Sequence, residues 1–251
     1  MPSTYRALCS DFYINTKLNV RMELPTNREP VLELFERTRR SYPAMNAFRR
    51  YKDELALESA PNATPHRWIA IRSASVRAGV VNPIDANEMY SIHRTSVEIS
   101  PYFLSISPLD IEYIELLYGF DLTARGNHDA IAANALFAGS PMAALLDTEA
   151  AGDGISVLDC QPSMGMKLVE DEGLEVHFEV KTRSKGKKPS EPNTEPISVY
   201  LTLRKYDPVT NLEELTDRLN EMIDRGQYLV DEYALPNLLM PLREEITSGS
   251  F

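Results

Sequence analysis

The side chains of this 251-residue chain best suited to acid–base, metal or nucleophilic work are four histidines and two cysteines. They are His66, His93, His128 and His177, with Cys9 and Cys160. No two histidines stand at metal-ligand spacing, and neither HExxH, CxxC nor an EF-hand loop occurs. A Walker lysine loop, GxGxxG and a GxSxG elbow are equally absent. The pattern therefore assigns no catalytic residue, no metal and no cofactor. That conclusion reaches only classes that carry a local motif, because a site gathered from distant segments leaves no such trace.

Two constellations remain as ligand-binding candidates. Gly126-Asn127-His128-Asp129 falls between an expected strand and an expected helix. Free N–H groups at such a junction bind anions, and His128 with Asp129 can form an acid–base pair. The simpler expectation is that Asn127 caps the helix, Asp129 complements its dipole and His128 is an exposed turn position. The second constellation is His177 and Glu179, two apart and so on one strand face, with Tyr200 and Arg204 across a hairpin. A solvated outer sheet face explains it more simply.

Partners are bounded by charge. Lys and Arg number 26 against 37 Asp and Glu, a net charge of −11, which disfavours nucleic acid and anionic membranes. Tyr5, Tyr13, Tyr42 and Tyr51 with Arg39, Arg40, Arg49 and Arg50 resemble an RNA-binding composition. Glu33, Glu36, Asp53 and Glu54 are interleaved, so ordinary helix faces are the expectation. Apolar residues at 43% and charged residues at 25% are an ordinary globular composition. No run of about 18 apolar residues predicts a membrane span. The N-terminus has no apolar signal core, and two cysteines make no disulfide framework, so a cytoplasmic location is expected.

Elements that would position these residues are mostly strands. Phe12, Ile14, Thr16, Leu18, Val20, Met22 and Leu24 alternate with polar neighbours. Thr26-Asn27-Arg28-Glu29 then reads as a capping box for a helix through Val31, Leu34 and Phe35. Residues 68–81 and 90–99 read as strands, and residues 50–65 have no clear state. Residues 111–122 favour a strand through Tyr113, Tyr118 and Phe120, followed by a helix from about Ile131. Leu174, Val176, Phe178 and Val180 form one further strand face; Ile197, Val199, Leu201 and Leu203 form another. Residues 184–196 between them, rich in Lys, Pro, Ser and Glu, are expected to be a long mobile hairpin loop. Thr210-Asn211-Leu212-Glu213 opens an amphipathic helix carrying Leu215, Leu219, Met222 and Ile223, and residues 235–246 form a last helical segment.

The expected class is α+β: a mainly antiparallel sheet with helices on one face, burying Leu18, Val20, Phe178, Val199 and Leu201. Residues 11–45 and 110–143 share a plan of strand, polar turn and helix. They suggest two duplicated β-α-β-β units, ferredoxin-like in plan, with halves 1–105 and 106–251 or one continuous domain. The functional expectation is a non-catalytic interaction or scaffold protein whose partner is itself or another protein. The competing expectation is a ligand-binding protein or motif-less enzyme with a cleft near His128.

Overall fold

Nine strands join edge to edge in one antiparallel sheet in the computed structural model, which describes residues 2–25, 27–146, 156–168, 170–182 and 195–249. The strands are β1 (Asp11–Val20), β2 (Met45–Arg50), β3 (Leu55–Ser59), β4 (His66–Arg72), β5 (Ser75–Val81), β6 (Ile111–Leu122), β7 (Ser163–Leu168), β8 (Asp171–Lys181) and β9 (Ile197–Lys205). Their order is β2-β3-β4-β5-β1-β6-β9-β8-β7. The two longest alternating patterns, β1 and β6, pair at the centre from Asp11↔Asp121 to Val20↔Ile111. The sheet thus crosses from the first half of the chain to the second without a break.

The helices are α1 (Pro2–Arg6), α2 (Arg28–Ser41), α3 (Ala86–Phe103), α4 (His128–Phe137), α5 (Glu214–Leu229) and α6 (Met240–Ser248). No described helix is long and apolar enough to cross a membrane. α3 lies on β5, β1 and β4, and α5 on β6 and β9. Period-two placement decides which face they cover: Leu18, Val20, Val199 and Leu201 are buried and Phe178 is partly buried against the core. Lys17, Glu175 and Glu179 stay half-buried on the opposite face. The register expected from alternation is the one adopted.

α5 continues into a π-helical segment, Val230–Leu239, and then α6. Pro236 has no N–H for an α-helical ladder, and the wider turn accommodates it. Asn237 Nδ2 donates to the Tyr233 carbonyl at 2.9 Å beside it. Where α5 crosses β6, Gly226 lies against the Tyr118 ring. The Tyr118 hydroxyl is 3.0 Å from that of Tyr90 and donates to the Ile223 carbonyl at 3.3 Å. Tyr5 donates to Asp231 Oδ1 at 2.6 Å and ties α1 to the π-helical segment.

Several local expectations are corrected. Residues 90–99 are not a strand but the body of α3, whose cap Asp85 accepts the Glu88 N–H at 2.8 Å. Residues 68–81 are not one strand but the hairpin of β4 and β5, turning at Ser73-Ala74. The unassigned residues 50–65 contain β3. The helix α2 starts one residue later than the Thr26 box predicts: Asn27 is its cap, and its side chain makes no capping bond. That shift puts Glu29 one place too early to reach back as a capping-box partner. In the 184–196 loop, residues 184–194 lie outside the described residues.

Candidate functional site

Asn127, His128 and Asp129 form the start of α4. Asn127 Oδ1 accepts the Asp129 and Ala130 N–H groups at 3.0 and 3.2 Å, a side-chain cap of the expected kind. Its Nδ2 donates to the Val157 carbonyl at 2.8 Å. Asp129 is buried, and its Oδ1 accepts the Cys160 N–H at 2.9 Å and the Thr182 hydroxyl at 2.6 Å. Its Oδ2 is buried with no hydrogen-bond partner. His128 is not the exposed turn position expected from the sequence. It is 1% exposed, with Nε2 3.2 Å from the Ala124 carbonyl. The helix turns it inward because Ile131 and Ala132, three and four residues on, lie on the same buried stripe.

This junction reads as a clasp. Asn127 and Asp129 hold residues 157–160 and the end of β8 to one helix N-terminus. Cys160 beside it is no activated nucleophile, since burial and then the Asp129 charge push its thiol up from the usual range. Burial, then the charges of Asp11 and Asp121, push Cys9 up to about 12. Replacing Asp129 by alanine is expected to cost about 2–3 kcal/mol, because two donors lose their acceptor inside the protein. Asp129→Asn keeps an acceptor oxygen and loses less. Urea denaturation of both variants, with amide exchange read at Cys160, checks this. An alanine variant as stable as the parent, with Cys160 still protected, would remove the clasp.

His177, Tyr200 and Arg204 lie on the uncovered face of the sheet. The register sets Glu179 opposite Tyr200, His177 opposite Thr202 and Glu175 opposite Arg204. His177 Nε2 is 3.6 Å from Glu175 Oε2, and Arg204 Nε donates to Glu115 Oε2 at 2.6 Å. The Tyr200 hydroxyl is 3.2 Å from that of Tyr13, which donates to Asp121 Oδ1 at 3.3 Å. The three residues share a face, yet each has its own partners rather than one common centre. No groove lined by described residues alone brings them together with Asn127, His128 or Asp129.

The same face repeats one packing device. Trp68 faces Gly79, Tyr13 faces Gly119 and His177 faces Gly165 across paired strands. A Cβ at each glycine would meet the facing side chain, the Tyr13 ring at 2.2 Å and the Trp68 ring at 2.4 Å. Each ring therefore lies flat over a glycine. Cations stack on these and neighbouring rings, with Arg77 5.5 Å from Trp68 and Lys17 5.0 Å from Tyr113. The face away from the helices is thus a layer of packed rings and ion pairs, in which His177 Nε2 is buried without a hydrogen-bond partner among the described residues.

The sheet edges differ from it and from each other. β2 presents Arg49 and Arg50, both exposed, which guard an edge against pairing. β7 reads Ser163-Met164-Gly165-Met166-Lys167-Leu168, with Met164 63% and Met166 39% exposed. Both methionines also line an apolar groove of about 640 Å³ with Phe137, Phe178, Tyr233 and Leu238. Sequence reading missed β7 because it holds none of the β-branched or aromatic residues that mark strands, and its glycine and lysine are depleted in them. Its two methionines at i and i+2 were the available signal. No protein-family model and no curated protein matches the chain.

Proposed function

We propose that this chain is a non-catalytic protein-interaction protein that self-associates, and that copies meet along β7. The observation that carries the reading is an edge strand with one charge in six residues, apolar side chains exposed and an apolar groove beside it. Antiparallel pairing about a two-fold axis at Gly165 sets Met164 of one copy against Met166 of the other, and Ser163 against Lys167. Within one copy Lys167 pairs across from Glu175, and Ser163 from Glu179. The two-fold then sets Lys167, beside its own Glu175, one serine away from Glu179 of the second copy, so no like charges face each other across the seam. Six residues of edge pairing fall short of the roughly 1,200–2,000 Å² of a stable interface. The groove with Phe137, Phe178, Tyr233 and Leu238 supplies the remainder.

A cytoplasmic location and descent of the two halves from one β-α-β-β unit, ferredoxin-like in plan, belong to the same proposal. Support for the second is the shared order of strand, helix, antiparallel strands and helix in β1 to α3 and in β6 to α5. The cleft reading near His128 has one supporting observation, the unpartnered Asp129 Oδ2. Against it stands the burial of His128.

Sedimentation velocity across a concentration series tests the proposal. The parent chain is expected to dimerise, and a Met164→Lys, Met166→Lys double variant to stay monomeric with an unchanged unfolding transition. Both side chains project from an exposed edge, so the substitutions leave the core intact. A parent that is monomeric at about 100 µM, or a dimer indifferent to the double variant, overturns it.

A further inference from the structure

At the opposite end of the sheet a second groove, about 800 Å³, opens between the start of α2 and the β2–β3 hairpin. Val31, Leu32, Phe48, Leu55 and Ile71 supply its apolar wall, and Leu32 and Phe48 are 41% and 51% exposed. Arg28, Arg50, Lys52 and Arg72 stand around it with Asp53 and Glu54. Glu54 is already engaged, accepting from Arg72 at 2.8 Å and from Arg77 at 3.2 Å. Among the described residues, Arg28, Arg50 and Lys52 have no ion pair or side-chain hydrogen bond. Three unpaired cations thus converge on one exposed apolar wall.

Their concentration here runs against the chain as a whole. Residues 1–105 hold 14 Lys and Arg against 11 Asp and Glu, a net +3, while residues 106–251 hold 12 against 26, a net −14. Elsewhere in this half Arg39 is paired with Glu36 at 3.0 Å and Arg67 with Glu88 at 2.8 Å. Asn27 gives α2 no side-chain cap, so the positive end of the helix dipole adds to the field beside Arg28.

We propose that this groove binds an acidic peptide segment of a partner protein, one that alternates carboxylates with apolar side chains. The apolar side chains contact Leu32 and Phe48, and the carboxylates pair with Arg28, Arg50 and Lys52. Arginine forks donate two parallel N–H bonds to a carboxylate, which selects a carboxylate-bearing chain over a merely apolar one. β2 is an edge strand whose exposed Arg49 and Arg50 oppose pairing with a neutral or basic strand, so an acidic extended peptide is the kind that can reach its unpaired main-chain groups. This surface is separate from β7, and the proposal stands or falls independently of self-association.

The test is fluorescence anisotropy of a fluorescein-labelled ten-residue peptide that alternates glutamate with leucine and phenylalanine, titrated with the full chain. Saturable binding is expected, weakened about tenfold by Arg50→Glu with Lys52→Glu and by a comparable factor by Phe48→Ser. Raising salt from about 50 to 300 mM is expected to weaken it as well. Arg39→Glu with Arg40→Glu, on the far end of α2, is expected to leave binding unchanged. Three results overturn the proposal: no saturation by about 100 µM protein, affinity indifferent to the groove variants, or retention on phosphatidylserine vesicles without peptide binding.

Discussion

Replacing Gly226 by valine is expected to destabilise the protein by about 3–5 kcal/mol, and replacing it by alanine by about 2 kcal/mol. A Cβ built at Gly226 lies 2.5 Å from Tyr118 Cε2, 2.8 Å from its hydroxyl oxygen and 3.0 Å from Cζ. The ring has nowhere to go. Tyr118 is fully buried, sits between Ile14 of β1 and Leu201 of β9, and holds its hydroxyl on Tyr90 and the Ile223 carbonyl. Either α5 rides up on the sheet or the hydroxyl pair breaks. Helix propensity alone argues the other way, since alanine gains about 1 kcal/mol over glycine inside a helix. The sign of Gly226→Ala in chemical denaturation therefore decides between the two effects. An alanine variant more stable than the parent would mean that α5 is free to shift and that the close approach is not needed for packing.

How much of this was legible in the sequence depended on how cleanly one periodicity stood out. β1, β8 and β9 alternate apolar and polar residues over their length, and their buried faces were readable directly. α3 was not. Tyr90, Ile92, Thr95, Val97 and Ile99 gave its centre a strand-like composition. Its buried stripe includes His93, Ser96 and Ser100, polar residues that hide a helical period from an apolar count. The signal that outweighs the composition is the Asp85-to-Glu88 cap spacing. The β4–β5 turn was hidden because Ser73-Ala74 contains no Gly, Pro, Asn or Asp, and serine is the weakest of the turn signals.

The candidate site was legible only where chemistry is local. The Asn127 cap was expected and formed, since a cap depends on the next three residues. Its neighbour Asp129 binds Cys160 and Thr182, 31 and 53 residues away, and no spacing rule reaches that far. The same holds for the cationic groove. Arg28, Arg50 and Arg72 come from α2, β2 and β4, and only sheet order and helix placement bring them together.

Acidification from pH 6.5 to pH 4 is expected to cost the parent chain several kcal/mol more than a His93→Gln variant, and His93 is the reason. The imidazole is fully buried in α3 with Nδ1 2.9 Å from the Thr16 hydroxyl of β1 and Nε2 without a partner. Burial, and then the charge of Arg94, lowers its pKa from the usual value near 6.5 to about 3. The native state therefore refuses a proton that the unfolded chain accepts. Above pH 6.5 both states are neutral at His93 and the effect is nil. Below it the unfolded state gains protons and stability falls by up to about 1.4 kcal/mol per pH unit until the native pKa is reached. Asp110 and Glu214, held below the carboxylate range, add their own losses only in the lower part of that window and beneath it. Hydrogen bonds from Ser107 and from Thr210 lead the causes for these two carboxylates. Glutamine keeps a partner for Thr16 and does not titrate, so the difference in urea midpoint between parent and variant isolates the histidine from the carboxylates. Parallel pH profiles for the two proteins between pH 6.5 and 4.5 would mean that His93 is protonated as easily in the core as in the unfolded chain, by solvent entry beside Thr16 that the buried packing of α3 on β1 does not provide for.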